Sequence, residues 1–238
     1  MNVLLTAKAR LKSLIGRRLS RDFLEKLTEY NIAETELTLA GAKHHRPPGS
    51  SWAAIIERGR EKLWQEALPD PETPILLLEF GSWQGESMRY LAGLNRHSDS
   101  CFLGFDSFEG LPEDWRGMAA ERFDQGGALP VVDDPRVRFV RGWFRDSVPP
   151  LLDELEELAR GKHLVVHYDA DLYSSTIFLL FALGSRFKAY DVIFDEFSGH
   201  ETRALFNYMQ ATGATARFSH RLDWQGWPQV VAGRLETP

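Results

Sequence analysis

The sequence predicts an α/β protein: a mostly parallel sheet covered by helices on both faces, preceded by an N-terminal helical segment. Three observations predict it. Short apolar runs recur at 75–80, 101–105, 137–141, 164–168 and 191–194, each of a length suited to a buried strand. Helical patterns or loops separate them, and alternation of strand and helix is the pattern of a parallel sheet. Four of the runs carry an acid at or just beyond their carboxyl end, at Glu79, Asp106, Asp169 and Asp195. The carboxyl ends of parallel strands are where such sheets bind their ligands.

The chain of 238 residues is long enough for one sizeable domain with an accessory segment. Apolar content of 43% and charged content of 26% are those of a soluble globular protein. The formal charge of −6 argues against nucleic acid as the main partner. One cysteine, Cys101, excludes an internal disulfide and a multi-cysteine zinc site; with neither a signal-peptide core nor a run long enough to span a bilayer, the expected location is the cytoplasm.

From the start of the chain, residues 8–26 carry Lys8, Arg10, Lys12, Arg17, Arg18, Arg21 and Lys26 against Asp22 and Glu25. Leu11, Leu14, Ile15, Phe23, Leu24 and Leu27 recur at near-helical spacing, interrupted by Gly16. This is either a membrane-surface or partner-binding helix, or a solvated helix packed on the core or on a second subunit of a homo-oligomer. Residues 41–51 read as a loop by their glycines, Pro47–Pro48 and serines, with His44 and His45 either metal-binding or solvated. Ser50 or Ser51 caps a helix to about Ala67, and Pro69, Pro71 and Pro74 set a boundary near residue 70 between a helical cap (1–70) and a core (71–238).

The first core strand runs into Gly81-x-x-x-Gly85-x-Ser87. Glycine serves where a backbone turns sharply or a ligand comes close, and a helix N-terminus offers unpaired N–H groups, so Glu79, Gly81, Gly85 and Ser87 are candidates for holding a nucleotide-like cofactor. The spacing is not the G-x-G-x-x-G of dinucleotide sites; it is closer to the first motif of S-adenosylmethionine (SAM) methyltransferases. An ordinary strand-to-helix turn is the alternative. Asp106, ending the second strand, is placed to accept both hydroxyls of a ribose. Ser107 and Phe108 follow, and an aromatic ring at 108 or 115 lies either against adenine or in loop packing. Residues 116–135, rich in Gly, Asp and Pro, are the candidate mobile substrate loop. Gly142 and Trp143 close the third strand and complete the cofactor-facing set together with Asp169.

The next two strands end in Asp169-Ala170-Asp171 and Asp195-Glu196. Two parallel strands therefore bring carboxylates to one sheet edge, where they repel unless a cation sits among them. Mg²⁺, which takes carboxylates and water, is the simplest candidate, with Asp169, Asp195 and Glu196 as ligands. Helix capping by Asp169 and Asp171 is the competing reading. His200 is a base candidate by its near-neutral pKa, or else a surface or capping residue. A closing antiparallel hairpin spans 214–221 and 229–235, with Trp224 and Trp227 either stacking on an acceptor or covering the core.

The ordered segments EFGSWQGES, FDSFEGLPEDW, RGWFRDSVP, HYDADLYSST and IFDEF resemble the macrocin O-methyltransferase family. The resemblance spans about residues 75–200. It implies a Rossmann-like class I methyltransferase fold with a seven-stranded sheet, SAM as cofactor, Mg²⁺ on Asp169, Asp195 and Glu196, and Asp171 as general base. Three departures stand out: Glu196 replaces the second of the usual paired aspartates, Ala170 replaces a common glycine, and His167-Tyr168 stands where aliphatic and basic residues are usual. The expected function is SAM- and Mg²⁺-dependent O-methylation of a small natural product, a sugar hydroxyl above all. The alternatives are an NAD(P)-dependent oxidoreductase and a SAM-binding protein without catalysis.

Overall fold

A computed structural model describes residues 39, 41–46, 52–115, 118–197, 199–224 and 227–238. The basic helical pattern at 11–27 lies outside the described residues. The elements are β1 (Lys43–His45), α1 (Trp52–Ala67), β2 (Ile75–Phe80), α2 (Glu86–Leu94), β3 (Cys101–Asp106), β4 (Val137–Arg141), α3 (Phe144–Ser147), α4 (Leu152–Ala159), β5 (His163–Tyr168), α5 (Tyr173–Gly184), β6 (Ala189–Phe194), α6 (His200–Thr212), β7 (Thr215–Trp224) and β8 (Trp227–Glu236).

The strands form one eight-stranded sheet in the order β1-β7-β8-β6-β5-β2-β3-β4. From β6 to β4 all pairs are parallel, whereas β8 lies antiparallel between β6 and β7. The seven expected strands are all present, and the eighth corrects the reading of 41–51 as loop throughout. Lys43–His45 pairs in parallel with His220–Leu222, an edge position that a three-residue strand can take between turn residues.

The period-two alternation of the strands divides the core in two. Leu76, Leu78 and Phe80 face one layer with α4, α5 and α6, where Tyr168 stacks on Phe194 with ring centroids 4.7 Å apart. Ile75, Leu77, Val165 and Ile193 face the other, beneath α1 and α2. Helix α1 contributes Leu63 and Trp64, both fully buried, to that second layer. So Lys43–His45 and Trp52–Ala67, read with the cap, supply a strand of the sheet and a helix that covers its core. No helix among the described residues is long and apolar enough to cross a membrane.

The chain runs β2, β3, β4 to one side and then returns to β5 and β6 on the other, so the strand order reverses between β2 and β5. A crevice opens at the carboxyl ends of the strands at such a point.

Candidate active site

A cavity of about 410 Å³ occupies that position. Its wall includes Gly81, Asp106, Ser107, Gly142, Trp143 and Asp169, so six of the expected cofactor-facing residues meet in one place. The turns that carry them are pinned by backbone bonds that continue the sheet: Gly81 N–H to Phe105 O and Asp169 N–H to Phe80 O, each 2.9 Å, and Asp195 N–H to Tyr168 O at 3.0 Å. The site thus rests on rigid strand ends.

Gly81 has φ +99°, and a Cβ there would lie 1.9 Å from the backbone oxygen of Asp169. The turns after β2 and β5 approach too closely for any side chain. Asp106 accepts the Trp83 N–H on Oδ2 and the Phe108 N–H on Oδ1, both at 2.8 Å. Burial raises its pKa, and these amide bonds oppose the shift. Asp106 lines the cavity, and a carboxylate has acceptor capacity beyond these amide bonds.

Four of the residues expected to face the cofactor are placed elsewhere. Phe108 is fully buried and packs edge-on against Phe139 with centroids 6.1 Å apart, so the backbone turn with φ +58° points its ring into the core. Gly85 forms the start of α2, and a Cβ there would meet Pro130 Cβ at 2.9 Å; it accommodates the following loop. Ser87 lies within α2, off the cavity wall. Glu79 is fully buried, bonded to Ser82 Oγ at 2.8 Å and to His167 Nδ1 at 3.0 Å. Alternation puts Glu79 on the same face as Ile75 and Leu77, toward α1.

The same alternation explains the charged cluster. Val165, His167 and Asp169, and likewise Ile193 and Asp195, fall on the α1 side. Opposite them α1 delivers Arg60, whose Nη1 donates to Asp195 Oδ2 at 2.8 Å and whose guanidinium lies 4.9 Å from the centre of the Trp64 ring. His167, fully buried, has Nε2 3.7 Å from Asp195 Oδ1. The cations balancing these acids therefore include two of the chain's own side chains. Burial alone would lower the His167 pKa, but Asp195 and Glu79 outweigh it and push it up to about 10. Burial and then Asp195 raise Asp169 well above the carboxylate range, whereas Arg60 and His167 outweigh burial and lower Asp195. Glu201, fully buried, accepts the Glu196 N–H at 3.0 Å, and burial together with Asp169 raises its pKa.

Among the described residues, one group of candidate metal ligands here is His167, Asp169 and Asp195, whose ligand atoms lie within 4.8 Å of one another; Glu196 is not in it. The grouping shares Asp169 and Asp195 with the expected ligand set and holds His167 in place of Glu196. Asp171 adopts φ +60° and, like His200 at the start of α6, does not line the cavity. The 116–135 segment is fastened where described: Gln125 and Gly127 donate to Phe108 O, and Leu111 donates to Ala120 O. Trp224 packs against the α1-side core, and the Trp227 side chain lies outside the described residues.

Two outcomes follow from the cluster. The His167 pKa is higher in the folded than in the unfolded chain, where it is about 6.5. Its stabilising contribution is therefore full below pH 6.5 and lost as pH rises through about 10. Thermal melts should show the midpoint falling across that window more steeply in the wild type than in His167→Gln. Arg60→Ala leaves Asp195 without its guanidinium partner. We expect a loss of about 2 kcal/mol in denaturant unfolding, below the figure for a fully enclosed pair because Arg60 retains contact with water. Asp195→Asn in the same chain should recover part of it.

The macrocin-O-methyltransferase (TylF) family model matches residues 119–227. The 8-demethyl-8-(2,3-dimethoxy-alpha-L-rhamnosyl)-tetracenomycin-C 4'-O-methyltransferase of Streptomyces olivaceus is 32% identical over 122 residues, 42% of this chain and 44% of that protein. The chain thus spans less than half the length of that curated relative. The solved O-methyltransferase NovP aligns over 90% of this chain and 100% of its own, with a TM-score of 0.58 at 22% identity, and shares the fold. The family model falls on the part of the chain that carries RGWFRDSVP, HYDADLYSST and IFDEF, in keeping with the resemblance read from the motifs, and the Rossmann-like architecture is shared with a solved structure.

Proposed function

We propose that this chain, a relative of the macrocin O-methyltransferases, is a SAM-dependent O-methyltransferase whose acceptor is a hydroxyl of a small natural product, on a sugar in particular. The observation that carries the reading is the convergence of Gly81, Asp106, Trp143 and Asp169 on one cavity at the strand-order reversal. Its volume is that of a small-molecule site. The single cysteine, unpaired at the start of β3, agrees with a reducing, cytoplasmic setting.

The residues present fit SAM. Asp106 offers acceptor capacity for ribose hydroxyls, Gly81 keeps the turn free of side-chain bulk, and Trp143 gives an aromatic wall. When bound, SAM supplies an electrophilic sulfonium methyl group for transfer to oxygen. The lining residues left for the acceptor include Leu111, Pro112, Ser174, Ser175 and Phe178, a mixture of apolar and hydroxyl groups suited to a decorated sugar. Asp169 lines the same cavity, with its backbone fixed by Phe80, and in its ionised form receives the acceptor's hydroxyl proton. Arg60 and His167 hold Asp195 behind it and keep the carboxylates from repelling one another.

Mg²⁺ fits this cluster in reduced form. Asp169 and the buried Asp195 Oδ1, which has no hydrogen-bond partner, would hold it, and Mg²⁺ commonly needs one or two carboxylates beside water. It would supply Lewis-acid lowering of the acceptor's pKa. Incubation with methyl-labelled SAM and a panel of glycosylated natural products, each with its aglycone, tests the reading. Label in an ether of a glycoside and in none of the aglycones supports it. Label confined to aglycones would remove the sugar from it, and no transfer to any hydroxyl would remove the activity.

A further inference from the structure

We propose that His45, Glu66 and His220 form a second site, for a divalent transition metal of the zinc class, that clips β1 and α1 to β7. Three elements meet there. The β1–β7 register sets Lys43 beside His220, and His45, two residues on, projects from the same face. The last turn of α1 places Glu66 over that face. Glu66 Oε2 is 3.9 Å from His45 Nε2 and 3.9 Å from His220 Nε2, and the three ligand atoms lie within 4.8 Å of one another. The imidazole rings are 5.4 Å apart.

The second observation is an unpartnered atom. The His45 side chain is 2% exposed, and its Nε2 is buried with no hydrogen-bond partner, directed at this group. A buried ring nitrogen without a partner is costly unless it meets a ligand. His220 is prepared in another way: its Nδ1 lies 2.9 Å from Ser219 Oγ. With Nδ1 as donor, the Nε2 lone pair is left for a metal, the arrangement that outer partners give to ligating histidines. Burial lowers the pKa of both rings, which favours the neutral form that binds metal.

Two imidazoles and one carboxylate, with water in the fourth position, make a common tetrahedral zinc set. Bonds of about 2.1 Å place tetrahedral ligands about 3.4 Å apart, so the 3.9 Å separations close with movements of under about 1 Å. Lys43 now contacts Glu66 Oε2; its exposed side chain would yield that oxygen to the ion. None of the three ligands lines the cavity, so this site is separate from the Asp169 cluster. Its effect reaches that cluster through α1, which carries both Glu66 and Arg60.

The test uses the full chain stripped with a chelator and titrated with Co²⁺, whose visible absorption reports tetrahedral nitrogen and oxygen ligation, then with Zn²⁺ in competition. We expect one equivalent of Co²⁺ per chain with the tetrahedral signal and a Zn²⁺-dependent rise in thermal midpoint. Affinity should fall at least about tenfold in His220→Ala and Glu66→Gln, rise in Lys43→Gln, and stay unchanged in Asp169→Ala. His220 and Glu66 are partly exposed, so these variants keep the test sound where His45→Ala fails to fold. The proposal is overturned by absence of saturable binding, by binding that survives His220→Ala, or by binding lost in Asp169→Ala, which would put the ion among the cavity acids.

Discussion

Asp169→Asn lowers the rate of methyl transfer by about 10²–10⁴-fold and leaves SAM affinity within a factor of about three, the range expected for removing a proton-accepting group from a preorganised site. The reason is positional. Asp169 is the acid of the 169–171 string that lines the cavity, and its main chain is held by Phe80, so the substitution removes charge without moving the turn. Burial and Asp195 raise its pKa, so its ionised carboxylate is a stronger base than an exposed one, and an isosteric amide keeps the shape while removing that basicity. Single-turnover rates with the labelled cofactor, beside calorimetric SAM affinity, separate the roles. A fall in affinity equal to the fall in rate would assign Asp169 to cofactor binding alone. Asp171→Asn serves as the comparison; a larger loss there would return the proton-accepting role to Asp171.

Gly81→Ala destabilises the chain by about 3 kcal/mol or more and abolishes SAM binding. A non-glycine residue at φ +99° carries strain of about 1–2 kcal/mol, and the added methyl would lie 1.9 Å from a backbone oxygen. That oxygen belongs to Asp169 and cannot rotate aside as a side chain could. Either the turn after β2 or the turn after β5 must shift, and both line the cavity. Denaturant unfolding gives the stability loss, and calorimetry gives the binding loss. A folded Gly81→Ala protein with unaltered SAM affinity would show that this close approach does not shape the cofactor region.

The fold and the rear wall of the cavity were legible because both depend on local punctuation. Each apolar run ends in the residue that continues the ladder, and parallel strands bring those ends to one edge. That logic finds Gly81, Asp106, Gly142 and Asp169 without knowledge of tertiary contacts. It does not place Glu79 in the cavity: this acid lies before the end of β2, fully buried, with its carboxylate taken by Ser82 and His167. It also fails for Phe108, since an aromatic ring after a strand serves core packing as readily as ligand contact.

Arg60 was out of reach for a different reason. It lies 135 residues from Asp195, in a helix whose charged positions look solvated, and only the packing of α1 on the sheet brings it to the acids. A signal did exist in His167, an unusual residue just before the acidic string. A buried imidazole between Glu79 and Asp195 announces an internal countercharge. The short strand Lys43–His45 was hidden by its length and by the glycine and prolines around it; its partner β7 is more than 170 residues away.

Calorimetric titration of SAM into the full chain, with NADH in a parallel experiment, tests most directly whether the cavity at the reversal between β2 and β5 is a SAM site. We expect one SAM per chain with a dissociation constant on the order of micromolar, a heat that disappears in Gly81→Ala, and no heat from NADH. Saturable NADH binding without SAM binding would contradict the claim and turn the cavity into a nicotinamide site.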